Sequence, residues 1–262
     1  MNKPIGVFDS GIGGLTVFAA LRRRMPREKI IYFGDTAHLP YGSKSQETVT
    51  RYSLEIARYL VARGVKALVV ACNTSSALAL PEIKKALKIP VLGVIGPGAR
   101  AAAAATRGGT IGIIGTEATI ASQAYSLALK EYLPQAKSLG AACPLFVPLV
   151  EEGWWSHPVT RVVAQEYLKP LKRADTLILG CTHYPCLKPL LQKVMGPKVR
   201  LIDSAEETAR ETTELLKRLK IEKKTGAGSA EFIVSDSPER FNKLAQRLLG
   251  FSTAKAKVHR FE

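Results

Sequence analysis

Ala67-Leu68-Val69-Val70-Ala71-Cys72-Asn73-Thr74 and Thr176-Leu177-Ile178-Leu179-Gly180-Cys181-Thr182-His183 are two versions of one phrase. Each is a short apolar run that ends in a small residue, then a cysteine, then side chains able to hydrogen-bond. A run without polar interruption reads as a strand buried on both faces, the kind found in parallel sheets covered by helices. Open α/β sheets keep their chemistry beyond the carboxyl ends of such strands, so each run delivers a thiol to a functional edge. Two such edges point to two thiols serving one site.

The likeness extends beyond the cysteines. Ile5-Gly6-Val7-Phe8-Asp9-Ser10 is matched by Ile111-Gly112-Ile113-Ile114-Gly115-Thr116, and residues 91–95 by 199–203. Counting from 5 to 111, from 91 to 199 and from 72 to 181 gives separations of 106, 108 and 109 residues. A nearly constant separation implies a doubled chain. Two similar halves facing one another would set equivalent strand tips on opposite walls of a shared cleft.

Strand patterns fall at 4–8, 29–33, 67–71, 91–94, 110–114, 143–147, 176–179, 199–202 and 231–234. Between them, 46–62, 117–132 and 205–219 carry helical spacing and charge. Repeated β-then-α order predicts an α/β fold: two similar lobes, each a mostly parallel sheet flanked by helices, related by a pseudo-twofold axis with the site between them. Ile95-Gly96-Pro97-Gly98 reads as a turn and marks the lobe boundary.

Thiolates on opposite sides of a small molecule suit one reaction type. One takes a proton from one face of a carbon and the other returns a proton to the opposite face. A thiol's ordinary pKa, near 8.5, is tunable towards neutrality by polar or cationic neighbours, so one can wait ionised and the other protonated. The outcome is racemisation or epimerisation.

With these residues on the page, the chain resembles the cofactor-independent aspartate/glutamate racemase superfamily, and most of all its glutamate branch. The resemblance rests on Phe8-Asp9-Ser10-Gly11-Ile12-Gly13-Gly14-Leu15, Gly34-Asp35-Thr36 with Pro40-Tyr41-Gly42, Ala71-Cys72-Asn73-Thr74, Pro148-Leu149-Val150-Glu151 and Gly180-Cys181-Thr182-His183-Tyr184-Pro185. These run in order from near the start to about residue 205. The resemblance implies interconversion of L- and D-glutamate for peptidoglycan synthesis, without pyridoxal phosphate, metal or nucleotide. It also implies a homodimer and a chain that returns to its first lobe near residue 205. The lobes are then 1–96 plus 206–262, and 97–205.

The resemblance assigns roles as well. Cys72 and Cys181 become the catalytic bases, Asp9 the carboxylate beside Cys72, and His183 the acid-base helper beside Cys181. Asp35 and Glu151 follow as supporting groups. Free cysteines are most often buried packing residues, but the parallel strand-end contexts of these two favour catalysis. Asp9 could alternatively cap the helix after Gly14. Substrate carboxylates call for hydroxyls, amides and backbone N–H groups at loop-to-helix junctions. Ser10 and its repeat partner Thr116, with Asn73, Thr74 and Thr182, occupy such junctions. Tyr41-Gly42 resembles the family's loop that closes over substrate. Cys186 and Cys143 read as packing residues, the latter in a strand.

Rival chemistries fail on detail. Gly11-Ile12-Gly13-Gly14 follows a strand, but a dinucleotide fingerprint needs a further glycine where Thr16 stands. An aspartate-nucleophile phosphatase would need an aspartate where Gly11 stands. Cys181, His183 and Cys186 crowd into six residues around Pro185, unlike ordinary zinc spacing.

Composition agrees with a cytoplasmic enzyme. The 262 residues, 46% hydrophobic, suffice for two compact lobes. No apolar run approaches the ~18 residues of a membrane helix, and Asp9 interrupts the only early candidate for a signal peptide. Four irregularly spaced cysteines read as reduced thiols. The first strand pattern begins so close to residue 1 that the N-terminal extension of some relatives is missing, which argues against regulation by a cell-wall precursor. The formal charge of +16, with a cluster at Arg22-Arg23-Arg24, Arg27 and Lys29, raises nucleic-acid binding as an alternative. The cations are scattered along the chain, which favours a solvated basic surface that also draws in an anionic substrate. A racemase for aspartate or another small amino acid is the nearer alternative, because the chemistry is more legible than the pocket.

Overall fold

A computed structural model of the chain describes residues 3–250 and 256–261. The first half runs β1 (Ile5–Asp9), α1 (Leu15–Arg24), β2 (Ile30–Gly34), α2 (Gln46–Ala62), β3 (Ala67–Val70), α3 (Asn73–Leu78), α4 (Leu80–Ala86), β4 (Val91–Gly93) and α5 (Ile95–Ala105). The second runs β5 (Thr110–Gly115), α6 (Glu117–Ala121), α7 (Ala124–Tyr132), β6 (Lys137–Ala142), α8 (Phe146–Glu151), α9 (Pro158–Leu168), β7 (Ala174–Gly180), α10 (Lys188–Met195) and β8 (Arg200–Asp203). The chain finishes with α11 (Ser204–Arg218), β9 (Ala230–Val234), α12 (Pro238–Leu249) and β10 (Lys257–Val258).

Two parallel sheets result, in the orders β10-β9-β2-β1-β3-β4 and β6-β5-β7-β8. The run β2-β1-β3-β4 has the same order as β6-β5-β7-β8. The cysteines therefore follow equivalent strands, β3 and β7, and the doubling legible in the sequence is a doubling of topology.

Both faces of each sheet are covered, which is why the strands are apolar at successive positions. In the larger sheet Val7, Tyr32 and Val69 face one core, while Phe8, Phe33 and Val70 face the other. In the smaller, Leu177 and Leu179 face one core and Ile178 the other. Each such side chain contributes roughly 1.5–3 kcal/mol through burial, so the strands that carry the cysteines are held from both sides.

Several sequence expectations need correction. Residues 143–147 are not a strand: β6 lies earlier, and α8 takes up the apolar run, burying Phe146 and Val150 one helical turn apart. β6 escaped notice because it is a half-exposed edge strand with little hydrophobic alternation. Cys143 sits in the loop after it, buried, its N–H bonded to Gly115 O at 2.8 Å. Ile95-Gly96-Pro97-Gly98 is no turn but the first turn of α5; Pro97 lacks only an N–H that a helix start leaves unpaired anyway. The helix expected over 117–132 breaks at Gln123, which adopts φ 55°. Helices α5 and α11 pack together where the chain crosses from one sheet to the other and back.

The basic cluster is partly committed to the fold. Arg22 donates to the carbonyls of Pro26, Glu28 and Gly228, Arg23 pairs with Glu206, and Arg27 donates to Lys224 O.

Candidate active site

On the first lobe, β1 ends at Asp9 and the chain passes through Ser10-Gly11-Ile12-Gly13-Gly14 into α1. Asp9 is fully buried; its Oδ2 accepts the Gly11 N–H at 3.0 Å and its Oδ1 accepts the Thr182 hydroxyl at 3.4 Å. Burial pushes this carboxyl above its ordinary range, outweighing His183 and the donors from Gly14, Gly11 and Thr182. Gly13 leaves room for contact between lobes, and Gly14 for the Asp9 side chain of its own lobe. A Cβ at Gly13 would stand 2.3 Å from Thr182 Oγ1 and 2.5 Å from His183 Nδ1, and one at Gly14 only 2.4 Å from Asp9 Cβ.

Cys72 follows β3 and caps α3. Its Sγ accepts the Ser75 N–H at 3.4 Å, and its thiol faces Ser10 Oγ at 3.6 Å. Burial, reinforced by the nearby Asp9 charge, pushes the thiol up to about 11 despite the donors from Ser75 and Ser10.

Across the cleft, Cys181 follows β7. Its Sγ lies 3.9 Å from His183 Nδ1, and the other ring nitrogen, Nε2, lies 3.3 Å from Glu151 Oε1. Arg240 reaches the second Glu151 oxygen at 3.3 Å. Burial by itself would lower the His183 pKa, but Cys181 and Glu151 favour the imidazolium and bring it up to about 10. Burial raises Glu151, yet His183 and Arg240 leave its carboxyl below the ordinary value. An imidazolium fixed beside a sulfur stabilises negative charge that develops there.

Hydroxyls and amides from both lobes complete the walls. Thr74 and Thr116 meet at 3.0 Å between hydroxyls, and Thr116 also caps α6. Gly42 packs on Thr116, where a Cβ would lie 2.6 Å from Thr116 Cβ. Ser10, Tyr41, Gly42, Cys72, Asn73, Thr74, Thr116, Glu151, Cys181, Thr182 and His183 all border one enclosed space of about 40 Å³. Asp9 and Asp35 stand behind this wall. Asp35 accepts hydrogen bonds from Tyr41, from Ser235 at 2.7 Å and from His38 at 2.9 Å, so it anchors the Tyr41 loop.

Sequence reasoning passed over several contributors. Thr16 donates to Thr182 O at 3.2 Å, His38 and Ser235 hold Asp35, and Arg240 holds Glu151. Tyr125 donates to Asn73 Oδ1 at 2.6 Å from the opposite lobe. Apart from His38, which lies three residues from Asp35, none of these carries a sequence signal, because each acts on a partner distant along the chain. Gly13 and Gly14 did stand out as glycines, though not for the contacts they permit.

Comparison with known proteins agrees with this arrangement. The family model for Asp/Glu/hydantoin racemases matches residues 15–212. A glutamate racemase from Geobacter metallireducens is 54% identical over 251 residues, spanning 95% of this chain and 93% of its own length. The crystal structure of a glutamate racemase isoform from Bacillus anthracis superposes with a TM-score of 0.94 at 41% identity, covering 99% of this chain and 97% of that one. A glutamate racemase from Francisella tularensis, solved with D-glutamate, superposes with a TM-score of 0.92 at 38% identity, covering 98% and 97%. On sequence, fold and overall coverage alike, the chain belongs to the glutamate racemase family of amino-acid isomerases.

Proposed function

We propose that the cleft interconverts L- and D-glutamate, with Cys72 and Cys181 each serving one face of Cα. The observation that carries this reading is the placement of two buried thiols after topologically equivalent strands, both bordering one enclosed space. For either direction, one sulfur as thiolate takes the α-proton and the other, as thiol, delivers one to the far face. Asp9 supports the Cys72 side, and the His183–Glu151 pair the Cys181 side.

Substrate carboxylates are held by the hydroxyls and amides of Ser10, Asn73, Thr74, Thr116 and Thr182, with the Tyr41-Gly42 loop closing over them. The space between these walls is narrow, about 40 Å³. Closure then excludes water, which strengthens a thiolate base against a weakly acidic C–H.

The supply of D-glutamate for peptidoglycan, a cytoplasmic location and a homodimer belong to the same proposal, as does the division into lobes 1–96 plus 206–262 and 97–205. It is supported by β9 and β10 joining the sheet of β1–β4. Among the described residues no helix is long and apolar enough to cross a membrane.

The test is polarimetry of the purified chain with L- or D-glutamate and no added cofactor, and with L-aspartate in parallel. Loss of optical rotation with glutamate supports the reading. Turnover of aspartate alone would transfer the assignment to that substrate.

A further inference from the structure

Tyr125 lies on α7 of the second lobe and is 2% exposed. Its ring is wedged at the crossing point of the molecule. A Cβ at Gly180, the residue before Cys181, would stand 3.0 Å from its Cε2, and one at Gly98, on α5, 3.2 Å from its Cε1. Its hydroxyl donates to Oδ1 of Asn73, the residue after Cys72, at 2.6 Å. Ser204, at the start of α11, lies against the same phenol. One side chain thus touches the neighbour of each cysteine and both helices that join the sheets.

The Asn73 amide explains what the hydroxyl does. Asn73 is 2% exposed and borders the cleft, and its Nδ2 is buried without a hydrogen-bond partner among the described residues. A buried amide N–H without an acceptor is destabilising, and such a group is tolerated where a ligand completes it. A side-chain amide has two orientations, and only its partners choose between them. The phenol donates to Asn73 Oδ1 at 2.6 Å, which fixes the oxygen on the Tyr125 side and leaves the NH₂ as the end of the amide that a ligand can complete.

We propose that Tyr125 is a positioning residue: it locks the Asn73 amide with its NH₂ presented to a substrate carboxylate. The proposal rests on the cleft being the glutamate site. Tyr125→Phe keeps the wedged ring and removes only the proton that orients Asn73. The full-length variant should melt within a few degrees of the parent. Its KM for both enantiomers should rise about tenfold while kcat changes less than about threefold, the signature of lost substrate binding. Because Tyr125 acts through Asn73, adding Tyr125→Phe to Asn73→Ala should change kcat/KM little further.

An unchanged KM in Tyr125→Phe, or effects of the two substitutions that multiply in full, would overturn the assignment while leaving the racemase reading intact. A parent chain inactive on glutamate would overturn both.

Discussion

Thr182 Oγ1, on the second lobe, donates to Asp9 Oδ1, on the first, across 3.4 Å. This bond joins the residue that follows one cysteine to the carboxylate that lies near the other. The two halves of the site are therefore coupled directly as well as through the substrate, and the coupling lies in the floor of the cleft, where Gly13 allows the lobes to touch.

The first prediction concerns the thiols. Cys72→Ser and Cys181→Ser should each lower glutamate racemisation by about a thousandfold or more, since a hydroxyl is far too weakly acidic to act as the base. Polarimetry measures the loss, and near-UV circular dichroism checks folding. Near-parental turnover in either folded variant would remove that cysteine from the mechanism.

Isotope exchange examines the facing arrangement without mutation. In D2O, starting from L-glutamate, early D-glutamate should be almost fully deuterated at Cα while the remaining L-glutamate stays mostly protiated. The donating thiol is a different group from the thiolate that abstracted, so the original proton is not returned to product. Proton NMR reads both pools. Substantial protium in the product would indicate one base working both faces.

Gly13→Ala addresses the contact between lobes. Its Cβ would stand 2.3 Å from Thr182 Oγ1 and 2.5 Å from His183 Nδ1. Overpacking of this kind costs about 1–3 kcal/mol. The displacement falls on the His183–Cys181 pair, so kcat/KM should fall by about a hundredfold or more, well beyond what the lost stability explains. Kinetics and a melting curve separate the two effects.

Glu151→Gln should produce a pH-dependent loss of stability. His183 is raised from 6.5 to about 10, so its contribution is complete below pH 6.5 and is lost as pH climbs to about 10. Glu151 is lowered from 4.5, so its contribution is complete above pH 4.5 and is lost as pH falls through its depressed value. The difference in Tm between parent and variant should therefore be greatest between pH 4.5 and 6.5 and shrink towards pH 10 and in acid. A difference independent of pH would mean that the pair is not ionised as drawn.

The α/β class, the doubling, and the two cysteines at strand ends were legible in the residues alone. These are local properties: the continuous apolar runs 67–71 and 176–179 have no stable place except a sheet covered on both sides, and a repeat is visible at constant separation. Thr116 was legible as the repeat partner of Ser10, whereas Asp9 and the glycine loop stood out through the resemblance to the family. Only tertiary structure decided the rest. The edge strand β6 has no hydrophobic pattern of its own and exists through pairing with β5. The helix opening at Ile95 and the helical fate of 146–151 were set by packing rather than by local preference. Asp35 proved an anchor for Tyr41 because its donors, His38, Tyr41 and Ser235, come from chain positions as far apart as 38 and 235. Tyr125, an ordinary helical aromatic in sequence, acquires its place only once the lobes face each other, since hydrogen bonds between residues distant along the chain leave no periodicity to read.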